Sequence, residues 1–415
     1  MSTEKYPLPD GWRWVRLGEV CKINPPRPKN FTRASDAPTI FIPMSAVDEK
    51  TGTVPKSEVV HYSKVAKGYT YFEENDVLFA KITPCMQNGK HTIARNLIDR
   101  IGFGTTEFHV LRAGDGILPE WIWYFIRQTT FLQEAIAYFT GAVGQQRVPE
   151  SFLSNYFIPL PHHLEVQRRI TAKLQKLMRE VECARTACEK QLEAAKALPN
   201  AYLRDVFESE EAKKWERKRL GEVCKYDSGI WGDEPDGSSE CYFVLRSNNI
   251  KEGKMIFDDI AVRRVESRHL PNKLLKIGDI LVTTSSGSKD LLGKSAIFIP
   301  PDDKVYLFSN FTMRLRSKPE IINCFYLFFY LQSHEAKNVL QLIQDTTTGL
   351  RNLDRKEFLN QSIPFPPLSE QHRITAELKQ KMAEVEKLRT AIEKQLEAIS
   401  ALPQAILRKA FNGEL

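Results

Sequence analysis

Two stretches of this chain share one apolar rhythm. Ile170, Leu174, Leu177, Val181, Ala184, Cys188, Leu192 and Ala195 recur at steps of three and four residues, and so do Ile374, Leu378, Met382, Val385, Leu388, Ile392, Leu396 and Ile399. The positions between them are dense in Glu, Lys and Arg. A narrow apolar stripe held over about four heptads predicts a helix that seats against another helix, as in a coiled coil. Each helix could instead cover only its own domain, but two equal seams in one chain more naturally pair with each other. Pro199 and Pro403 predict the ends of both helices, because proline has no N–H and its ring collides with the preceding turn. Elsewhere the apolar runs are short. Thr39–Pro43, Asp76–Lys81, Gly104–Leu111, Ile280–Thr284, Ser295–Ile299 and Phe311–Leu315 predict strands parted by Gly, Pro and Asn turns. An aromatic helix is predicted at Trp121–Gln128 and again at Phe325–Gln332.

The recurrence extends to the letters. Leu17-Gly18-Glu19-Val20-Cys21-Lys22 returns as Leu220-Gly221-Glu222-Val223-Cys224-Lys225, 203 residues on. Ile158-Pro159-Leu160-Pro161 matches Ile363-Pro364-Phe365-Pro366, and Arg169-Ile170-Thr171-Ala172 matches Arg373-Ile374-Thr375-Ala376. Glu189–Ala194 matches Glu393–Ala398. An offset this steady makes the chain a tandem duplication. The interiors, roughly 30–150 and 226–355, share little beyond strand character and the aromatic helix, so the frame is constant and the heads have diverged. Expected boundaries are a first head over 1–160, a helix over 161–200, a second head over 201–362 and a second helix over 363–415. The fold class is α+β: two mixed α/β heads joined by two long antiparallel helices, with the heads at opposite ends and a pseudo-two-fold axis between them. About 30 residues of helix span roughly 45–50 Å, enough to separate two readers of B-DNA by one turn, about 34–36 Å.

Composition narrows the class. With 415 residues, 42% hydrophobic and 27% charged, the chain has room for more than one soluble globular core. No secretory leader and no bilayer-length apolar run are expected, since Ile321 to Leu331 is short and broken by Asn323. Seven scattered cysteines without a CxxC pair indicate neither a disulfide framework nor a zinc site, which suits a reducing cytoplasm. The net charge of +7 permits nucleic-acid binding without demonstrating it.

Candidate chemistry lies in paired loops. In the first head, Lys81–Lys90 carries Lys81, Thr83, Gln87, Asn88 and Lys90, and Gly141–Arg147 carries Gln145, Gln146 and Arg147. In the second head, the counterparts carry Ser285, Ser286, Ser288, Lys289 and Lys294, then Arg351 and Asn352. Arg, Lys, Gln and Asn can read base edges in the major groove, while Ser, Thr and glycine amides suit phosphates. Singly, each loop reads as a solvated turn; their recurrence at matching places argues for a shared task. Three fragments imitate catalytic motifs. Asn24-Pro25-Pro26-Arg27 has Arg27 where a base-flipping methyltransferase carries an aromatic. Gly287 to Gly293-Lys294 has five residues between its glycines, where a P-loop has four. His162-His163 lacks further ligands at metal spacing. No catalytic, cofactor-binding or metal-binding residue is therefore assigned to this chain.

Pro161–Ile170 (PHHLEVQRRI) and Pro366–Ile374 (PPLSEQHRI) resemble the PPLxEQxRI signature of type I restriction–modification specificity subunits, present twice as that family's architecture requires. Lys81–Lys90, Gly102–Phe108 and Gly144–Val148 resemble one class of that family's target recognition domains. The first copy of the signature departs by one inserted residue and by Val166. The resemblance implies a non-catalytic DNA-binding subunit for phage defence, each head reading one half of a bipartite, asymmetric site. It implies helices that set the spacer and dock two methyltransferase subunits, to which restriction subunits are added. S-adenosylmethionine, ATP and Mg2+ would then act in those partners and none in this chain. Two other readings stay open: a targeting module for another DNA methyltransferase or defence system, and a coiled-coil adaptor whose heads bind proteins.

Overall fold

The structure is a computed structural model that describes residues 6–142, 145–235, 240–266, 268, 270–286, 292–345 and 352–415. The chain forms two compact units. Unit 1 comprises residues 1–188 with 395–415, and unit 2 comprises 189–394. Two helices of 44 residues, Leu164–Phe207 and Leu368–Phe411, each begin in one unit and end in the other.

The two heads share one plan despite their unlike sequences. In the first, a four-stranded antiparallel sheet runs in the order Cys21–Ile23, Phe108–Ala113, Val77–Ala80, His91–Ile93. In the second, the order is Cys224–Ser228, Thr312–Ser317, Ile280–Thr283, Ser295–Ile297. Register repeats as well: Lys22 faces Arg112 as Lys225 faces Arg316, and Val77 faces Leu111 as Ile280 faces Leu315. Each head adds a sheet with a parallel pair, Phe41 opposite Phe103 in the first and Phe243 opposite Tyr306 in the second. Asp76 and Asp279, each 2% exposed in the side chain, take a bidentate grip from Arg112 and Arg316. Burying a carboxylate demands such pairing, and both heads meet the demand at one position.

One expected strand is divided. Gly104–Leu111 splits into Ile101–Gly104 and Phe108–Ala113, which belong to different sheets, with a turn at Thr105–Glu107 between them. The aromatic helices are present at Pro119–Ile126 and Cys324–Gln332. Trp121, Tyr326 and Tyr330 on them are fully buried.

Pro199 and Pro403 do not end the long helices, which continue to Phe207 and Phe411. An internal proline costs about 3 kcal/mol, and burying a large apolar side chain returns about 1.5–3 kcal/mol. Beyond Pro199, Leu203 and Phe207 enter the core of unit 2, where Phe207 meets Tyr326 and Tyr330 at 5.5 Å. Beyond Pro403, Leu407, Ala410 and Phe411 enter the core of unit 1, where Phe411 meets Trp121 at 4.8 Å and Phe125 at 5.2 Å. Burial outweighs the proline. The core of the first head is thus completed by residues 407–411.

The helical segments are antiparallel within the units. In unit 2, Lys381 lies over the Tyr202 ring at 5.1 Å and feels Asp205, while Arg373 feels Glu211, so one segment descends as the other rises. The buried stripe of the two helices comprises Ile170, Leu174, Cys188, Ala195, Ile374, Leu378, Val385, Ile392 and Ile399; Leu177, Val181, Leu192, Met382 and Leu396 are half-buried. Ala184 and Leu388 are not in it: Leu388 is 45% exposed, and the next residues, Arg185 and Arg389, take the half-buried positions. A stripe at 3.6 residues per turn drifts around the helix relative to a strict heptad, so the inward position slips by one residue mid-helix. Arg185 is braced by Glu182 at 2.5 and 3.0 Å.

Candidate nucleic-acid interface

The candidate loops meet in pairs. Strand Val77–Ala80 runs into Lys81–Lys90, and that loop is stitched to the segment ending at Arg147. Thr83 N–H donates to Gln146 O at 3.0 Å, Val148 N–H to Lys81 O at 2.9 Å, and Ile82 bridges Arg147. The second head repeats the joint. Leu353 N–H donates to Thr284 O at 2.8 Å, Ser285 bridges Asn352, and the Ser285 hydroxyl donates to Asn352 Oδ1 at 2.5 Å. Lys81 N–H meets Glu107 O at 2.9 Å where Thr284 N–H meets Phe311 O at 2.9 Å. Loops more than fifty residues apart in sequence therefore form one polar ledge on each head.

Their side chains differ in availability. Gln87, Asn88 and Gln145 are exposed, and Lys90 and Gln146 are half-buried. Lys81 is half-buried, and burial lowers its pKa from the usual lysine value. The Thr83 hydroxyl is buried with no hydrogen-bond partner, so it does not face solvent as expected of a phosphate ligand. Arg147 is gripped by Glu107 through two bonds of 2.8 Å, which hold that carboxyl below its ordinary value. Arg147 braces the ledge rather than presenting a free fork. In the second head Lys294 and Asn352 are exposed, and Ser285 and Ser286 are half-buried. Ser288, Lys289 and Arg351 lie outside the described residues, as does most of the P-loop-like stretch.

A third loop joins the first ledge and was not anticipated. Asp48 Oδ1 accepts from Lys50 N–H, Thr51 N–H and the Thr51 hydroxyl, closing a tight turn. Asn88 Nδ2 donates to Glu49 at 3.4 Å. Arg127 clamps both loops from below: Nη1 donates to Gly89 O at 3.0 Å, Nη2 to Lys50 O at 2.6 Å, and the guanidinium lies 4.9 Å from the Trp123 ring centroid. Burial pushes Arg127 down to about 10. Gly52, at φ +65°, passes so close that a Cβ there would come within 2.5 Å of Arg127 Nη1. The Asp-x-x-Thr-Gly string was a legible turn signal, but its partner Arg127 is 75 or more residues away.

Asn24 has a structural role. Its Oδ1 accepts from Val110 N–H at 3.0 Å and its Nδ2 donates to Glu150 at 2.7 Å, tying a strand to the helix Glu150–Asn155. His162 and His163 are exposed ahead of the long helix. No helix among the described residues is long and apolar enough to cross a membrane.

The model of the type I restriction modification DNA specificity domain matches this chain twice, over residues 9–194 and 212–398. The chain belongs to that family. Its relatives among type I specificity subunits include that of the EcoEI restriction enzyme of Escherichia coli, 37% identical over 174 residues, covering 42% of this chain and 29% of the relative. The EcoAI subunit of Escherichia coli is 38% identical over 181 residues, 43% and 30% of the two chains. The match thus spans under a third of the length of these two relatives. The EcoKI subunit of Escherichia coli K12 is 25% identical over 322 residues, 74% of this chain and 68% of that one. Among solved structures, a chain from work on assembly and conformational transition of the type I R-M system superimposes with a TM-score of 0.76 at 26% identity, covering 99% of this chain and 100% of that one. The HsdS subunit from Thermoanaerobacter tengcongensis follows at 0.67 and 26%, covering 100% of both chains. The specificity-domain family accounts for the duplication, and both copies of its model fall on the repeated frame.

Proposed function

We propose that this chain is the sequence-specific DNA-recognition subunit of a type I restriction–modification complex, working in the cytoplasm. The observation that carries the reading is the repeated ledge: two unlike heads on one plan each bring two polar loops together by the same backbone joint. Backbone amides and short polar side chains suit phosphates, and exposed Gln and Asn can make paired bonds to adenine edges. Because the frames match and the ledges differ, the two heads read unlike half-sites. The paired long helices set the distance between those half-sites and dock two methyltransferase subunits, with restriction subunits joining through them. The chain does no chemistry itself: methyl transfer from S-adenosylmethionine and ATP- and Mg2+-dependent translocation and cleavage belong to the partners. The family match and the solved neighbours support this reading over a protein-binding adaptor.

The test is to exchange residues 30–150 for those of another family member and to read the modified motif by long-read methylome sequencing. One half of the motif is expected to change while the other half and the spacer stay. A change in both halves would overturn the division of labour.

A further inference from the structure

Both long helices open on a glutamine that solvent does not reach. Gln167 and Gln371, the fourth residues of their helices, are each 0% exposed. Gln167 Oε1 accepts from Leu118 N–H at 2.9 Å, and its Nε2 donates to Gly116 O at 3.0 Å and Pro161 O at 3.4 Å. Gln371 Oε1 accepts from Asn323 N–H at 2.9 Å, and its Nε2 donates to Pro366 O at 2.9 Å and Ile321 O at 3.2 Å. The partners correspond one for one between the copies, although Gly116 has become Ile321 and Leu118 has become Asn323. All six bonds reach backbone, so they persist while the side chains of the heads change.

Each amide ties three pieces at one point. Pro161 ends the strand that leads into the first long helix, and Pro366 follows the strand Ser362–Pro364 that leads into the second. Leu118 and Asn323 immediately precede the aromatic helices on which each head is packed. The third piece is the first turn of the long helix itself. Apolar packing is non-directional and lets such a joint turn; a hydrogen bond weakens steeply once bent away from line. Three bonds converging on one planar amide, closed off from competing water, resist rotation of the head about its helix. Val166 against Glu370, the departure in the first copy, leaves the glutamine untouched.

We propose that Gln167 and Gln371 are positioning residues that lock the angle of each head on its helix, and thereby restrict the protein to one spacer length between half-sites. This rests on the DNA-recognition reading above. The test uses the full chain in the host that carries this gene, with long-read methylome sequencing of Gln167→Met and Gln371→Met, which keep the side chain's length and remove the amide. Each variant is expected to retain both half-site sequences and, in addition, to modify sites whose spacer is one base pair longer or shorter, at a tenth or more of the parent level. The parent spacer alone, at full or reduced level, overturns the lock and leaves the glutamines a structural role. Gln167→Leu and Gln371→Leu also remove the amide and bury no charge, so a like broadening is expected; these decide the matter should a Met variant fail to accumulate. Loss of all modification in a variant that melts like the parent also overturns the lock. No gene-dependent motif from the unaltered chain would instead count against the DNA-recognition reading itself.

Discussion

In the first head, the strands flanking Val77–Ala80 place His91 and His109 on either side of Phe79; in the second, the same ladder positions beside Val282 hold Ser295 and Met313. His91 stacks on Phe79 at 4.4 Å, accepts Ala80 N–H through Nδ1 and has its Nε2 buried with no partner. His109 donates from Nε2 to Val148 O at 2.8 Å, which puts it directly under the loop joint. Arg127, the clamp beneath the first ledge, has Gln332 at the corresponding helix position of the second head, where its Nε2 donates to Ser295 O at 3.1 Å and to the Ser295 hydroxyl at 2.9 Å. The buried Asp–Arg pairs are nevertheless common to both heads. The scaffold therefore keeps what closes the sheet and varies what supports the ledge. Recognition can diverge without refolding when the supports under a loop are separable from those of the sheet.

That contrast can be broken hardest at the cores. Phe411→Ala is expected to cost about 3–5 kcal/mol, as for other large-to-small aromatic core changes. Amide hydrogen exchange should show the loss in strands of the first head, such as Val77–Ala80, and not in Ile280–Thr283. Faster exchange in the second head would contradict the assignment of Phe411 to the first core. Acid should separate the heads next. Burial holds the pKa values of His91 and His109 below the ordinary histidine value. The folded first head disfavours protonation of both rings, His91 most, while the unfolded chain takes up protons below about pH 6.5. The stability this allows is complete above that pH and is lost as pH falls, by at most about 1.4 kcal/mol per pH unit for each ring. Exchange measured from pH 7 to 5 should weaken the first head more than the second by about 2 kcal/mol; equal weakening would remove the distinction. The smallest effect is expected at the clamp. Arg127→Met strips donors from Lys50 and Gly89 carbonyls that water can partly replace, a cost of about 1 kcal/mol. It should relax base preference in the first half-site only, read as degenerate positions in the modified motif. Gln332→Met, at the corresponding position of the second head, loses only bonds to Ser295 and should leave the first half-site unchanged.

Much of this was visible in the linear chain. Repeats at offsets of 203 to 205 located both heads and both helices, and the turn-rich loops after Val77–Ala80 and Ile280–Thr283 drew attention to both ledges. The kinship of the interiors was harder to see, because it lies in strand order and register while the side chains have changed. Asp76 with Arg112, and Asp279 with Arg316, were the surviving letters, but each pair is separated by more than thirty residues and announces itself only once the strands are adjacent. Arg147 looked like a base reader because nothing local reveals that Glu107 grips it. The glutamine of the PPLxEQxRI resemblance was legible as a letter and silent as a bond, since its partners are the backbone of a loop about fifty residues upstream.

By itself the sequence determined the duplication, the two long helices, the strand-rich heads and the family, because periodicity and repetition are properties of neighbouring residues and of identity at a fixed offset. Only the tertiary structure decided that the helices run on through Pro199 and Pro403, that Arg185 and Arg389 are half-buried where Ala184 and Leu388 are exposed, and that residues 407–411 complete the first core. Each of those outcomes weighs a local preference of about 3 kcal/mol or less against burial supplied by side chains far away in the chain, and that balance exists only after the chain has folded.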